Sequence, residues 1–207
     1  MTSSRLHFVR MRRIHALALV PVFALAACTT ATAPATTAAP ATSAPATSAP
    51  ATSTPVDAGA TLSGDGYTLT LPKGWEDATA AFKKLQAQVD TGAKETADTK
   101  DKFNDNVNVV VQTSAEVPFE SLKTALKTQL EQAGSTNIEF KDNATLDGKD
   151  ALHVWSITKD AGDAHTIQFM AFNGGKLYVL TVSTNRDDAA AATLSQQIVS
   201  GWKWTTA

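Results

Sequence analysis

The chain has very little cysteine: Cys28 is the only one among its 207 residues. A single cysteine cannot close a disulfide within the chain, and it cannot supply the several thiolates of a structural zinc site. A folded domain built from this sequence therefore depends on a hydrophobic core for its stability.

Long hydrophobic runs are also missing. The longest apolar stretch covers about 12 residues, from Ala16 to Ala27, and Pro21 interrupts it. As a helix it would measure about 18 Å, against roughly 30 Å of bilayer hydrocarbon, so it is too short to span a membrane. Four arginines precede it, an arrangement typical of an export signal; they are Arg5, Arg10, Arg12 and Arg13.

Cys28 directly follows the apolar run, in the sequence Leu-Ala-Ala-Cys at residues 25–28. This tetrapeptide resembles the lipobox of bacterial lipoproteins, in which the cysteine becomes the mature N-terminus and carries a diacylglyceryl group. Two acyl chains give a stable membrane anchor, whereas one gives only marginal binding. We therefore predict lipidation of Cys28 and location on the outer face of the cell membrane. An ordinary secretory signal followed by a coincidental cysteine is the alternative.

The charge balance disfavours polyanionic partners. Four of the 18 basic residues and none of the 20 acidic ones precede Cys28, so a chain cleaved there has a formal net charge of −6. Nucleic acids and anionic lipid headgroups both require clustered Lys and Arg. We therefore predict no nucleic-acid partner, and a membrane contact that depends on the lipid at Cys28.

A low-complexity segment follows the cysteine. Residues 29–61 are mostly Ala, Thr, Ser and Pro, and Ala-Pro-Ala-Thr-Ser begins at Ala39, Ala44 and Ala49. Such a segment has almost no large side chain to bury, and its prolines favour extended polyproline II conformation. The sequence thus predicts three parts, which are a signal peptide at residues 1–27, a lipidated linker at 28–61 and a globular domain at 62–207.

The hydrophobic periodicity of the third part predicts an α+β fold. Alternating residues joined by tight turns indicate successive antiparallel strands, and apolar residues at helical spacing indicate helices that cover the sheet. The spacing of Phe82, Leu85 and Val89 gives a weaker helical signal, and polar residues dominate from there to Asp105. The predicted strands lie at 67–71, 106–113, 137–146, 151–158, 165–172 and 176–184, and the main helices at 119–133 and from a cap within 185–188 through Trp202.

Three segments of the sequence resemble the corresponding segments of the PsbP-like family. They are Gly-Tyr-Thr-Leu-Thr-Leu-Pro-Lys-Gly-Trp-Glu at 66–76, Asn-Val-Asn-Val-Val-Val at 106–111 and Lys-Leu-Tyr-Val-Leu-Thr at 176–181. The resemblance implies an antiparallel sheet covered by helices, an α/β/α sandwich. That fold is shared by a photosystem extrinsic protein, a yeast Ran-binding protein and actinobacterial lipoproteins of the LpqN type. The lipobox and the linker favour the lipoprotein branch, which implies an envelope-facing binding or accessory module.

The tryptophans and histidines of the domain have structural interpretations. Trp75 is expected to cover a sheet edge, Trp155 and Trp202 to lie in the core, and Trp204 to lie nearer the surface. His153 and His165 fall on neighbouring predicted strands. Without a third ligand or a metalloprotease-type spacing, they are interpreted as hydrogen-bonded structural or surface residues rather than a metal or catalytic pair.

Four acidic residues, Glu95, Asp98, Asp101 and Asp105, form a cluster in the sequence. Lysines are interleaved with it, and it lacks the glycine and the closing glutamate of an EF-hand loop, so a solvated loop is predicted. The sequence contains no Gly-x-Ser-x-Gly elbow, Walker loop or dinucleotide-binding fingerprint. It therefore predicts no metal, no cofactor and no catalytic residues.

Three functions remain from different classes. The leading hypothesis is a non-catalytic envelope lipoprotein that binds another envelope protein or a lipid through a surface beside residues 76–105, a long polar connection. The second is a carrier of an apolar or glycolipid ligand, which requires a pocket with apolar lining. The third is a hydrolase, which requires a nucleophile and a base close together in space.

Overall fold

The computed structural model describes residues 58–96, 103–142, 144–159 and 163–205. The signal sequence, Cys28 and linker residues 29–57 lie outside the described residues, so the predictions made for them stand as predictions. The elements in chain order are β1 (Ala58–Gly64), β2 (Tyr67–Pro72), β3 (Trp75–Asp77), α1 (Thr79–Leu85), β4 (Val89–Glu95), β5 (Asn106–Thr113), α2 (Phe119–Gln132), β6 (Ser135–Phe140), β7 (Ala144–Leu146), β8 (Lys149–Thr158), β9 (Ala164–Asn173), β10 (Lys176–Thr184), α3 (Asp188–Ser200) and β11 (Trp202–Trp204).

A large antiparallel sheet forms the centre of the domain. Its strand order is β3-β4-β5-β10-β9-β8-β6, and β7 pairs with the first part of β8 beside β6. The strands β8, β9 and β10 follow one another as a meander, because short connections join antiparallel neighbours. Helices cover this sheet, so the predicted α+β class is confirmed.

Helix α2 covers one face of the large sheet. Leu122, Leu126 and Leu130 recur every four residues, so they share one side of the helix, and each is at most 1% exposed. They pack on apolar side chains of the central strands, among them Leu152 and Met170. Burial of each leucine contributes about 1.5–3 kcal/mol of transfer free energy, which explains why this layer needs no disulfide.

The opposite face carries a second layer made of a small sheet, β1-β2-β11, and helix α3. Within it the Tyr67 ring stacks on Trp202 with ring centres 4.2 Å apart and planes within 6°. The Tyr67 and Thr91 hydroxyls share a 2.6 Å hydrogen bond, and burial raises the Tyr67 pKa above its ordinary value. Helix α3 begins at the predicted cap, where the Asp187 side chain accepts a hydrogen bond from the Ala190 N–H.

Two boundaries differ from the sequence prediction. Strand β1 begins at Ala58, so the last four residues assigned to the linker are part of a strand that pairs with β2. Helix α3 ends at Ser200, and Trp202 lies in β11 rather than in the helix, although it is buried as expected. The helix stops because Gly201 lies directly against β2, where its carbonyl accepts a 2.9 Å hydrogen bond from the Thr70 N–H.

The single strand predicted at 137–146 is two strands, β6 and β7. Phe140 pairs with Val154 and Ala144 with Ala151, so β6 and β7 pair with successive parts of the same edge of β8. In the weakly patterned segment, Phe82 and Leu85 lie on α1 but Val89 lies in β4.

Candidate functional site

An open groove of about 900 Å³ lies over the β8–β6 side of the large sheet, on the face that carries α3. Strand alternation explains its floor. Leu152 and Val154 of β8 point to the α2 layer, so His153 and Trp155 point to the opposite face. The small sheet and α3 leave this part of the face incompletely covered, and both side chains are half-buried.

One wall of the groove is a stripe of helix α3. Asp188, Ala192 and Gln196 follow one another at intervals of four residues, and Val199 and Ser200 extend the same side by one turn. The buried residues of this helix, such as Leu194 and Ile198, face the core instead. The helix thus presents one side to the core and a polar side to the groove.

The opposite wall is the edge of the large sheet, and the end of the groove is closed by β11. Asn137 and Glu139 of β6 and Thr145 of β7 contribute side chains to the wall. At the end, Asp147 accepts a 2.6 Å bond from the Lys203 ammonium and a 3.1 Å bond from the Trp204 N–H. These bonds lower the pKa of Asp147, with the Lys203 bond as the main cause.

The floor is held by a hydrogen bond between two of its own side chains. Trp155 Nε1–H donates to His153 Nε2 over 2.8 Å. The His153 ring stacks on the buried Phe169 ring, with centres 4.4 Å apart and planes within 14°. The backbone N–H of Lys141, which directly follows β6, donates a 3.0 Å hydrogen bond to the His153 carbonyl of β8.

His153 is neutral at physiological pH. Its pKa is lowered to about 4, mainly by burial and to a smaller extent by the positive charge of Lys141, while a backbone hydrogen bond with Asp142 acts in the opposite direction. Because Nε2 accepts the hydrogen bond from Trp155, the imidazole proton resides on Nδ1. The groove floor therefore holds two uncharged aromatic groups in a fixed arrangement.

Charged groups form the rim. Lys141 pairs with Glu139, and its ammonium stands 5.4 Å from the Trp155 ring centre. At the other side, His165 Nε2 lies 3.3 Å from Asp188 Oδ1, and the His165 ring meets the edge of Trp155 at 5.6 Å. The groove therefore has an aromatic floor and a polar rim.

The groove contains no activated nucleophile among the described residues. Neither His153 nor His165 is hydrogen-bonded there to a serine or threonine hydroxyl, and His153 Nε2 is already occupied by Trp155. Within 58–96, 103–142, 144–159 and 163–205, no group of three or more His, Cys, Asp or Glu side chains is placed to hold a metal ion. The helices of the same residues include none that is long and apolar enough to cross a membrane.

The structure changes the interpretation of Trp155. The sequence placed it in the core, but it is half-buried on the groove floor, because α3 and the small sheet end short of it. Trp75 is buried, with 6% of its surface exposed, and Trp204 is half-buried. The two histidines do lie on neighbouring strands, β8 and β9, and both line the groove.

The solvated-loop prediction is wrong for two of the four acidic residues. Arg186 binds Asp105 and Glu95, whose side chains are only 2% and 19% exposed. The other two, Asp98 and Asp101, lie outside the described residues. The long polar connection at 76–105 is also a misinterpretation, because β3, α1 and β4 occupy most of it.

Sequence reasoning missed the α3 stripe and the β6 edge as groove walls. The available signal was in β8, where His153 and Trp155 stand on the same face as the buried Ala151. Aromatic residues whose rings carry a polar N–H or nitrogen, on an otherwise apolar strand face, indicate that the neighbouring layer does not fully cover that face. The sequence offered no comparable signal for α3, since its helical pattern is the same whether its polar side faces solvent or a groove.

Comparison with known proteins gives structural similarities only. No protein-family model matches the chain, and no curated protein sequence matches it significantly. Solved structures that it resembles include the cyanobacterial PsbP protein CyanoP of Synechocystis, with a TM-score of 0.47 and 18% identity over 68% of this chain and 87% of that one.

Two further structures are similar to a comparable degree. One is LpqN of Mycobacterium tuberculosis, described as involved in cell envelope biogenesis, with a TM-score of 0.48 and 12% identity over 69% of this chain and 86% of that one. The other is the Ran-binding protein Mog1p of Saccharomyces cerevisiae, with a TM-score of 0.46 and 13% identity over 67% of this chain and 90% of that one. The PsbP-like and LpqN-type structures named by the sequence resemblance are thus among the structural neighbours.

Proposed function

We propose that this protein is a lipid-anchored cell-envelope lipoprotein of the LpqN type that binds a ligand in the α3–β8 groove and acts as a non-catalytic accessory module. The anchor is supported by the arginine-rich start, the short apolar run and Cys28. The observation that carries the binding function is the groove itself, with Trp155 half-exposed on its floor and hydrogen-bonding side chains on both walls.

The groove suits recognition because its parts are preorganised. Trp155 is oriented by its bond to His153, and the charges at the rim are paired as Glu139–Lys141 and Asp147–Lys203. A ligand that enters therefore meets a rigid aromatic surface and polar groups that are already placed. Preorganisation of this kind lowers the entropy cost of binding.

A glycolipid ligand is the second candidate, and the mixed character of the groove favours one form of it. Asn137 and Gln196 supply amide groups, Thr145 and Ser200 supply hydroxyls, and the Trp155 ring supplies an apolar surface between them. This combination suits a polar headgroup with apolar ring faces. An acyl chain would instead need an enclosed apolar cavity, which this open, polar-walled groove does not provide.

Capture experiments with groove variants test the proposal. The full chain, immobilised on resin, is incubated with detergent extract of the envelope, and retained lipids and proteins are identified by mass spectrometry. We expect Trp155→Ala and the obstructing Gln196→Arg to lose the species that the wild type retains. Leu85→Ser is the matched control, because Leu85 is 50% exposed on α1, away from the groove.

The control also separates the two candidate surfaces. Loss of capture in Leu85→Ser alone would assign binding to the surface beside 76–105 and would contradict the groove. Retention of the same species by Trp155→Ala and Gln196→Arg at wild-type levels would contradict it as well. Turnover of envelope esters or glycans by the purified wild type would show that the protein is an enzyme.

A further inference from the structure

The Trp155 side chain depends on its neighbour for its orientation. Its ring is half-buried, with Lys141 above it and the His165 ring against its edge. Neither contact is a hydrogen bond, and among the described residues the indole N–H of Trp155 donates its hydrogen bond to His153 Nε2. An indole on an open floor can adopt other rotamers, so this bond selects the one that the groove shows.

His153 is itself firmly placed. Its ring lies flat on Phe169, which is fully buried in the core, and its backbone carbonyl accepts from Lys141. His153 and Trp155 lie two residues apart in β8, so both point to the same face. Stacking on Phe169 thus fixes the His153 ring, and the hydrogen bond from the indole N–H to that ring fixes the orientation of the half-exposed Trp155 side chain.

We propose that His153 is a positioning residue, whose neutral imidazole holds the Trp155 ring in the orientation that a ligand in the groove contacts. The inference rests on the proposed function, since it assumes that the groove binds a ligand. It assigns His153 no direct contact with that ligand. Its consequence is that acid releases the Trp155 ring, because a protonated His153 has no acceptor atom left for the indole N–H.

The surroundings of His153 agree with a neutral imidazole. Lys141 brings a positive charge from the end of β6, and Phe169 beneath the ring is apolar. The other titratable groups that line the groove are His165 on β9, Asp188 on α3, Lys203 on β11, and the carboxylates Glu139, Asp142 and Asp147 at the sheet edge. The burial-lowered pKa of about 4 places the release near pH 4.

Indole N–H resonances in ¹H–¹⁵N spectra test the hydrogen bond without any ligand. Trp155→Phe identifies the Trp155 signal, which we expect to move between pH 6 and pH 3 with a midpoint near 4. His153→Gln retains an acceptor oxygen, so the signal should stay at its hydrogen-bonded position and lose that pH dependence. His153→Phe removes the acceptor, and the signal should shift at every pH.

The glutamine variant is essential because carboxylates titrate in the same range. If the Trp155 signal still moved near pH 4 in His153→Gln, a carboxylate and not His153 would control the ring, and the inference would be overturned. A wild-type signal that does not move would overturn it too. Should His153→Phe fail to fold, the wild-type titration and His153→Gln decide the question between them.

Capture from envelope extract at pH 7 then tests whether the orientation of the Trp155 ring affects ligand binding. Loss of one hydrogen bond of about 1 kcal/mol corresponds to roughly a fivefold loss in affinity, which we expect for His153→Phe but not for His153→Gln. Equal capture by wild type and His153→Phe, with loss in Trp155→Ala, would refute the positioning role. Equal capture by Trp155→Ala would instead refute the proposed function and leave the hydrogen-bond result standing.

Discussion

Arg186 joins two parts of the fold that are distant in sequence, and its removal gives a quantitative test of the structure. Its Nε atom lies 2.5 Å from Asp105 Oδ2, and its Nη2 atom lies 2.7 Å from Glu95 Oε2. Burial raises the pKa of Asp105, and the hydrogen bond with Thr184 and the charge of Arg186 oppose that rise. Replacement by Leu removes the positive charge and leaves the buried carboxylate behind.

The expected loss of stability follows from this geometry. Breaking one partner from a buried ion pair costs about 3–5 kcal/mol. Arg186 is 36% exposed, so water compensates part of the loss, and we expect about 2–3 kcal/mol at pH 7. For a domain of this size that corresponds to a fall in Tm of roughly 4–12 °C.

The pH dependence has a definite sign. An acid whose pKa is raised in the folded state binds its proton more readily there than in the unfolded chain, so protonation stabilises the fold. Removal of Arg186 raises the pKa of Asp105 further. The stability gap between wild type and Arg186→Leu should therefore narrow as the pH falls from 7 toward 4.

Urea unfolding of four proteins measures these effects, namely the wild type, Arg186→Leu, Asp105→Asn and the double variant. Because asparagine leaves no buried charge, Arg186→Leu should cost less in the Asp105→Asn background, with a coupling energy of about 1–2 kcal/mol. A penalty for Arg186→Leu that is equal at pH 7 and pH 4, or that adds to that of Asp105→Asn without coupling, would refute the reasoning.

Three further predictions address the helix end, the anchor and the domain boundary. In Gly201→Ala the new Cβ would lie 1.9 Å from a β2 backbone carbonyl oxygen, so we expect a loss of about 3 kcal/mol in urea unfolding, against about 1 kcal/mol for Gly134→Ala, whose Cβ meets nothing within 4 Å. Cys28→Ala should abolish metabolic acyl labelling and detergent partitioning; unchanged labelling would disprove the lipid anchor. A chain starting at Asp57 should match the full-length mature protein in its unfolding midpoint, whereas one starting at Leu62 should unfold earlier because it lacks half of β1.

The sequence predicts best those elements that are defined by neighbours along the chain. The meander β8-β9-β10 is recognisable because glycine-containing turns, such as Asn173-Gly174-Gly175, separate alternating strands. Helix α2 is recognisable from the regular spacing of Leu122, Leu126 and Leu130. In both cases the local pattern and the tertiary packing require the same conformation, so the pattern alone is sufficient.

The elements that the sequence does not predict depend on distant partners. Strand β11 has three residues, too few to show a period, and it exists because β2 offers it a pairing edge. Strand β1 has only one buried residue, Leu62, and its alanine-rich start resembles the linker before it. The buried state of Asp105 is equally invisible in sequence, because Arg186 approaches it from 81 residues away.

The groove shows why the proposed binding site is harder to predict from sequence than the fold that carries it. Its floor comes from β8, its walls from α3 and the β6 edge, and each of these segments satisfies its own local pattern whether or not the groove exists. The groove exists because the second layer does not cover the whole face of the large sheet. The large sheet extends to β6, whereas the small sheet and α3 that pack on this face end at α3 and β11. A half-covered sheet face must then carry side chains that tolerate both water and apolar contact, and His153 and Trp155 meet that requirement because each has an apolar ring and a polar edge. Their mutual hydrogen bond satisfies the indole N–H and the His153 Nε2 atom within the protein, while the Trp155 ring stays half-exposed in the groove.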